Sequence, residues 1–240
     1  MYSSSTRLTR NYSITNDTDE NHVSNGRCPN YALLWSSKKN YVHWQDDTHD
    51  YFIGNGSNID DGTQELREIL SDRFKKGIVT NYLLYCDLDG VLADFNQGVI
   101  NKFQINAHQV KPSLLWNVIN KSKTFFETLP WMPKGRELWE RIKNHNPIIL
   151  TGVPRGCPSA REQKIKWCQR ELGPDVKVIT CLTSNKVKYC LPNSILLDDR
   201  NVNLELWKYK GGKFILYNED KLDEIAEKID RHMSIDFPSP

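Results

Sequence analysis

Two aspartates one residue apart stand directly after an apolar run and before a glycine. Asp87, Asp89 and Gly90 occupy these positions in the segment LLYCDLDGVLADF. Carboxylates at this spacing can point at one site from a tight loop, and Gly90 lets the backbone turn without a side-chain clash. Their oxygens suit a hard cation such as Mg²⁺. Because Asp and Gly also form ordinary turns after strands, this segment alone leaves a chemical and a structural interpretation open.

Three further polar clusters follow apolar runs later in the chain. Thr151 and Gly152 end the segment IILTG, Lys186 ends TSNK, and Asp198 and Asp199 stand in LLDDR. Taken alone, Thr151 could be a strand-end hydroxyl and Lys186 a solvated charge. Residues that follow parallel strands meet at one edge of a sheet, where ligands bind. The joint placement of the clusters therefore favours one shared site.

These motifs, in this order, resemble those of the phosphatases of the haloacid dehalogenase (HAD) superfamily. DLDGV is similar to the DxDGT/V motif that opens these enzymes. The family then places Thr or Ser after a second strand, Lys or Arg after a third, and an acidic pair after a fourth. The match covers residues 82–217 or so and leaves the first third of the chain unexplained.

The resemblance implies a role for each matching residue. Asp87 would attack phosphorus and become an aspartyl phosphate, which divides one difficult hydrolysis into two easier steps. Asp89 would protonate the leaving oxygen and then deprotonate the incoming water. Thr151 would donate hydrogen bonds to the phosphoryl oxygens and Lys186 would place a positive charge beside them. Gly152 is also expected to contact the substrate.

The same resemblance implies a Mg²⁺ cofactor. Asp198 and Asp199 would complete its site together with Asp87 and the backbone carbonyl of Asp89. The sequence leaves open which of Asp198 and Asp199 is the direct ligand. Arg200 follows the acidic pair and is expected to approach the substrate, unless it forms a salt bridge to a nearby acid.

Within the superfamily the sequence most resembles the 5′(3′)-deoxyribonucleotidases, which hydrolyse nucleoside monophosphates. The elements that carry this resemblance are DLDGVLADF, FFxxLP, ILTG, CP, Lys164, Trp167, ELGP and LLDDR. Two departures affect the expected substrate. The segment 95–147 is shorter than the cap of those enzymes, which leaves the site more open. The second motif reads Thr-Gly in place of Thr-Ser, which removes one hydroxyl that could bind phosphate.

Aromatic residues of the cap could stack on a nucleobase, an interaction that contributes about 1–3 kcal/mol per base. Their alternative role is ordinary packing within the cap. The candidates are Phe95, Phe103, Trp116, Phe125, Phe126 and Trp131.

Apolar runs alternate with helical periods from residue 82 onward, which predicts an α/β fold with a doubly wound, mostly parallel sheet. By resemblance this fold is HAD-like and Rossmannoid, with a small helical cap inserted after its first strand at about 96–146. A helix after Ser159 is expected to place Ile165, Cys168 and Leu172 on one side. The predicted strands are 82–86, 147–150, 176–181, 194–197 and 213–217.

The first third of the chain has a different character. Residues 1–30 are too polar to offset the entropy of ordering, which predicts a disordered segment. Residues 31–78 form an aromatic-rich extension of unknown role, with one or two strands followed by a helix from Asp60 or Asp61 to about Lys76. The phosphatase domain itself is expected to span 79–235.

The composition excludes several classes of protein. The 240 residues carry a formal net charge of +2, which argues against a protein that coats polyanions. The six cysteines have no CxxC spacing and are expected to be free thiols. No apolar stretch approaches a membrane span, and the N-terminus lacks the apolar region of a secretory signal. These features favour a cytoplasmic protein without a membrane partner, although Arg7 and Arg10 in a Ser-rich start leave organellar targeting open.

Three hypotheses about function follow. The first is a 5′-nucleotidase-like phosphatase acting on small nucleoside monophosphates. The second keeps the chemistry and changes the substrate to a sugar phosphate or the phosphorylated end of a nucleic acid. The third is a non-catalytic binding protein with an HAD fold. A homodimer is an expectation by analogy alone.

Overall fold

The computed structural model describes residues 32–36, 41–45, 50–53, 61–78 and 82–234. Its first elements are three short strands, β1 (Ala32–Ser36), β2 (Tyr41–Gln45) and β3 (Asp50–Ile53), which pair in this order as an antiparallel sheet. One or two strands were expected here; two polar segments, SKKN and DDTH, divide the aromatic stretch into three runs instead. The predicted disordered segment 1–30 lies outside the described residues.

Helix α1 (Asp61–Lys75) follows this sheet and confirms the predicted helix within one or two residues. Its side chains Leu66, Ile69 and Leu70 are buried in an apolar cluster. Gly77 lies two residues after the end of the helix, and its φ of +67° is a left-handed conformation that favours glycine. The apolar periodicity and the terminating glycine were therefore sufficient to predict this element.

A sheet of five parallel strands forms the centre of the fold, which confirms the predicted architecture. The strands lie in the spatial order β6-β5-β4-β7-β8. All of them agree with the predicted positions to within a few residues. They are β4 (Leu83–Cys86), β5 (Ile148–Gly152), β6 (Val178–Cys181), β7 (Ser194–Asp198) and β8 (Lys213–Leu216).

Six helices connect or follow these strands. α2 and α3 lie in the predicted cap segment, and α4, which also falls in that segment, packs against the terminal helix α7. The helices are α2 (Phe95–Phe103), α3 (Pro112–Lys121), α4 (Gly135–Ile142), α5 (Ala160–Glu171), α6 (Leu204–Tyr209) and α7 (Leu222–Met233).

The sheet is buried on both faces. Along β4, Leu84 and Cys86 join one apolar cluster, while Leu83 and Tyr85 join another. This alternation follows from the two-residue period of a strand. The first cluster includes side chains of α5 and α7, and the second includes side chains of α1 and α6. Helices on both faces make the sheet doubly wound and leave the carboxyl ends of its strands as the edge at which the polar motifs lie.

The predicted face of α5 was only partly right. Cys168 is buried as expected, but Ile165 and Leu172 are half-buried. The buried face instead includes the polar residues Gln163 and Lys164. A hydrophobic pattern assigns polar residues to solvent, so it placed this face incorrectly.

Neither disulfides nor membrane-spanning helices occur in the part of the chain that the structure describes. The cysteines at 86, 157, 168, 181 and 190 are free thiols, as predicted, whereas Cys28 lies outside the described residues. Among the described helices, none combines the length and apolar character needed to cross a bilayer.

Candidate active site

The loop after β4 keeps both of its aspartates at the edge of the sheet. The Asp87 amide donates to Leu197 O at 2.8 Å, which extends the pairing of β4 with β7 by one residue. The chain then turns back at once, because Gly90 N donates to Ala93 O and Ala93 N donates to Leu88 O. Gly90 has a φ of +81°, which explains why a glycine occupies this turn.

A buried lysine joins two of the predicted acidic positions. Lys186 Nζ lies 2.8 Å from Asp87 Oδ2 and 2.7 Å from Asp198 Oδ2, and the lysine is only 1% exposed. It is presented by the 3-10 helix Thr183–Tyr189, which follows β6. Burial favours the neutral amine, but the two carboxylates outweigh burial and raise the pKa of Lys186 to about 12. The structure thus brings Asp87, Lys186 and Asp198 together from three different strand ends.

The nucleophile candidate is held on both of its oxygens. Asp87 Oδ1 accepts a hydrogen bond of 2.8 Å from Leu88 N, and Oδ2 pairs with Lys186. These contacts fix the orientation of the carboxylate, which is 6% exposed. A carboxylate held in this way is positioned to attack in one direction.

A second buried lysine connects the remaining motifs. Lys164 Nζ contacts Asp89 Oδ2, lies 3.0 Å from Thr151 Oγ1, and donates to Gly152 O at 2.6 Å. It also lies 5.0 Å from the centre of the Phe126 ring. Lys164 belongs to the family resemblance but had no predicted role. The available signal was its position three and four residues before the apolar Trp167 and Cys168, which places it on their face of the helix.

The Asp89 carboxylate is suited to carry a proton. Burial raises its pKa, and the positive charge of Lys164 opposes that shift without cancelling it. No group of the described residues forms a hydrogen bond with its buried Oδ1 atom. A raised pKa favours the protonated carboxyl, and the free oxygen leaves room for a substrate oxygen to accept that proton.

Three carboxylates fit a divalent cation. Oxygens of Asp87, Asp198 and Asp199 lie within 4.8 Å of one another. Asp198 already uses both oxygens, since Oδ2 pairs with Lys186 and Oδ1 accepts from Arg200 N at 2.9 Å. Asp199 Oδ1, by contrast, is buried and has no hydrogen-bond partner in the part of the chain that the structure describes. In this acidic pair Asp199 is therefore the better placed ligand, while Asp198, like Asp87, could bind a cation only through the remaining lone pairs of its engaged oxygens.

The electrostatics of Asp199 support the same assignment. Burial, together with repulsion from Asp87 and Asp198, raises the pKa of Asp199 to about 7. A bound cation would relieve this repulsion, because it neutralises the carboxylates that crowd the site. The predicted contribution of the Asp89 backbone carbonyl to the metal site stays a prediction.

Two adjoining cavities open from these groups. The inner one has a volume of about 170 Å³ and the outer one about 570 Å³. Asp89, Phe95, Trp116 and Arg200 line both of them. The exposed Arg200 thus lies beside both cavities, and its expected approach to the substrate stays a prediction.

The aromatic residues of the cap divide into two groups. Phe95, Trp116 and Phe126 line the inner cavity. The other three candidates pack within the protein: Phe103 stacks on Phe125 at 5.5 Å between ring centres, and Trp131 packs against Trp167 and donates to Glu171. For these three, the packing interpretation is the one that fits.

Gly152, at the end of β5, lies against Thr183. A Cβ atom built on Gly152 would overlap Thr183 Oγ1, and the same cavity is lined by both residues. Thr183 was not among the predicted site residues. Its only signal in the sequence was its position just before Lys186.

No protein-family model and no curated protein matches this chain. Solved structures similar to it include a hydrolase from Pseudomonas syringae, with 11% identity, a TM-score of 0.35, and coverage of 60% of this chain and 90% of that chain. A dehalogenase has 12% identity, a TM-score of 0.36, and coverage of 62% and 96%. A protein from Bacteroides vulgatus, named provisionally as a beta-phosphoglucomutase, has 11% identity, a TM-score of 0.35, and coverage of 66% and 87%. Similarity this distant adds no constraint on the reaction of this chain.

Proposed function

We propose that this chain is a Mg²⁺-dependent phosphomonoester hydrolase of the HAD type, in which Asp87 is the nucleophile. The observation that carries the proposal is the position of Lys186 between Asp87 and Asp198, with the free oxygen of Asp199 close by. Four polar motifs that are far apart in sequence converge there on one edge of the sheet. A purely structural role would not require this convergence, because burying charged groups costs free energy.

In the first step, an Asp87 oxygen forms a bond to phosphorus as the bond from phosphorus to the leaving oxygen breaks. Asp89 transfers its proton to that leaving oxygen, so the alcohol departs neutral and Asp89 becomes a carboxylate. In the second step, Asp89 takes a proton from water while the water oxygen attacks phosphorus. The aspartyl phosphate is cleaved, inorganic phosphate is released and both aspartates return to their starting states.

Buried cations and hydroxyls would offset the charge of the phosphoryl group. Lys186 lies beside the nucleophile, and Lys164 lies between Asp89 and Thr151. Asp87 and Asp199 would hold Mg²⁺, and the Asp89 backbone carbonyl is a further expected ligand. Asp198 would fix the position of Lys186. When bound, the ion would neutralise charge on the phosphoryl oxygens.

The substrate that we favour is a nucleoside monophosphate. Phe95, Trp116 and Phe126 give the inner cavity an aromatic wall next to Asp87 and Asp89, which suits a planar base or a sugar face. The outer cavity of about 570 Å³ favours a second candidate, a larger phosphate such as a sugar phosphate or a nucleic-acid end. A non-catalytic binding protein is disfavoured, because each catalytic position carries a competent residue.

A phosphate-release assay tests the proposal. Purified protein with Mg²⁺ is expected to hydrolyse p-nitrophenyl phosphate, and EDTA is expected to stop the reaction. A parallel panel of nucleoside monophosphates, sugar phosphates and oligonucleotides with 3′- or 5′-phosphates would separate the two substrate classes. If no phosphomonoester in the panel were hydrolysed with Mg²⁺ present, the proposed function would be wrong.

A further inference from the structure

The glycine that ends β5 leaves a space that a neighbouring hydroxyl fills. Gly152 pairs with Cys181 across β5 and β6, and the chain reaches Thr183 two residues later. A Cβ atom on Gly152 would overlap Thr183 Oγ1 and lie 3.5 Å from Thr183 Cβ. Gly152 does not have a left-handed φ, so its backbone would tolerate other residues. The absence of a side chain at 152 is therefore explained by the Thr183 side chain.

The Thr183 hydroxyl is positioned for a ligand. Thr183 lines the inner cavity together with Asp87, Asp89 and Gly152. Its backbone carbonyl accepts a hydrogen bond of 3.1 Å from Asn203 Nδ2, which anchors the start of the helix that carries Lys186. Within residues 61–78 and 82–234, no group forms a hydrogen bond with the hydroxyl itself, so it is available as a donor.

We propose that Thr183 Oγ1 donates a hydrogen bond to a phosphoryl oxygen of the substrate. It thereby replaces the hydroxyl that a serine at position 152 would provide. This inference rests on the proposed phosphatase function. A side chain at 152 and the Thr183 side chain compete for one space, so the site can hold a hydroxyl from one position or the other. The phosphate would then be bound by three side chains, Thr151 at the end of β5 and Thr183 and Lys186 after β6.

This arrangement places two phosphate-binding groups on one short helix. Thr183 and Lys186 belong to the same 3-10 helix, one turn apart, and Asn203 ties the beginning of that helix to the segment after β7. Thr183 is thus coupled to the lysine that orients Asp87. Its hydroxyl supplies specificity for a tetrahedral oxyanion, since a donor aimed at a charged oxygen contributes more than one aimed at a neutral group.

The test compares variants that remove the hydroxyl, keep it, or move it. Thr183→Val keeps the shape and loses the hydroxyl, and kcat/KM for a substrate of the wild-type protein is expected to fall by about 10–100-fold, as for one hydrogen bond to a charged group. The inhibition constant of inorganic phosphate is expected to rise as well. Thr183→Ser keeps the hydroxyl and should stay close to wild type, as should the neighbouring exposed control Ser184→Ala.

The most discriminating test moves the hydroxyl from residue 183 to residue 152. Gly152→Ser alone is expected to reduce kcat/KM because its side chain displaces Thr183. The double variant Gly152→Ser/Thr183→Ala places a serine hydroxyl in the vacated space and is expected to recover most of the loss. A purely structural role for Thr183 would not be restored in this way, and the melting temperatures of all variants provide the folding control.

The outcomes separate the two proposals. If the wild type hydrolyses phosphomonoesters but Thr183→Val retains its kcat/KM and its phosphate inhibition, Thr183 has no role and the phosphatase assignment stands. A folded double variant that stays as impaired as Thr183→Val would also overturn the inference. A wild type that neither hydrolyses a phosphomonoester nor binds inorganic phosphate would overturn both.

Discussion

Gly90 and Asp199 lie in contact, so that a Cβ atom at position 90 would be 2.6 Å from Asp199 Cγ. The glycine belongs to the loop after β4 and the aspartate follows β7, two strands that are neighbours in the sheet. The lack of a side chain at 90 lets the Asp199 carboxylate approach Asp87. A motif glycine thus has two roles here: it adopts a left-handed turn and it admits a metal-ligand candidate.

We therefore expect Gly90→Ala to weaken Mg²⁺ binding. Displacing Asp199 should raise the Mg²⁺ concentration needed for half-maximal activity by about 10–100-fold, as for other changes that misplace a ligand. Gly173→Ala is the matched control, because Gly173 also has a positive φ of +117° but no described residue lies within 4 Å of the position that its Cβ atom would take. Both variants carry backbone strain of about 1–2 kcal/mol. An equal Mg²⁺ requirement in the two variants would show that the contact with Asp199 is irrelevant.

Replacing Lys186 with methionine should both destabilise the protein and abolish activity. The substitution leaves Asp87 and Asp198 buried together without their cation, and removing one partner of a buried pair costs about 3–5 kcal/mol. Urea unfolding in the absence of metal measures the loss. The double variant Lys186→Met/Asp198→Asn should regain much of that stability without regaining activity. If the single variant unfolded at the wild-type urea concentration, the ion pairs would not contribute as described.

The pKa of Asp199 predicts how the stability of the metal-free protein depends on pH. Its value is about 7 in the folded state and 3.8 for the isolated group, so the folded state binds the extra proton between these values. Stability should therefore rise as pH falls from about 7 towards 4, and the gain should be lost again as pH rises through 7. The raised pKa values of Asp89 and Asp198 act in the same direction.

Unfolding by urea in EDTA at several pH values measures this slope. Asp199→Asn removes one contributor and should flatten the slope without reversing it. Mg²⁺ competes with the proton, so the apparent affinity for Mg²⁺ should weaken as pH falls below about 7. A slope that is identical in the wild type and in Asp199→Asn would contradict the assigned environment of this carboxylate.

Lys164→Met should impair catalysis, whereas the same substitution at the exposed Lys166 on the same helix should not. The variant removes the contacts to Asp89, Thr151 and Gly152, and we expect kcat to fall by about 100-fold, the lower end of what acid–base catalysis contributes. Loss of the positive charge should also raise the pKa of Asp89, and because Asp89 must be protonated in the first step, the alkaline limb of the kcat/KM profile should move to higher pH. Lys166→Met, which breaks only an exposed pair with Glu162, should match the wild type in both respects.

The residues that end apolar strands were predicted to lie close together, and the structure brings them to one edge of the sheet. Asp87, Thr151 and Asp198 each follow such a run, and the geometry of a parallel sheet brings strand ends to one edge. Lys186 was found by the same logic, because it lies shortly after β6. The proximity of these residues thus follows from their positions after parallel strands. A single sequence was therefore enough to predict that they lie at one edge of the sheet.

The parts that sequence reasoning missed depend on contacts between elements. Lys164 lies on the buried face of α5, where a hydrophobic pattern expects no charge, and its contacts with Asp89, Thr151 and Gly152 explain its burial. Thr183 meets Gly152 because of the register between β5 and β6, which the sequence does not state. The proposed preference for Asp199 over Asp198 as a metal ligand rests on the contacts that Lys186 and Arg200 N make with the two oxygens of Asp198, and the sequence does not show these contacts.

The central claim is that Asp87 becomes covalently phosphorylated during turnover, and the most direct test is the mass of the protein after an acid quench. Wild-type protein quenched during hydrolysis of its substrate is expected to gain the mass of one phosphoryl group, on the peptide that contains Asp87. Asp87→Asn, which replaces the carboxylate with a neutral amide of the same shape, should remain folded, inactive and unphosphorylated. Turnover by Asp87→Asn at a rate near that of the wild type, or a phosphoryl group on a different residue, would contradict the account.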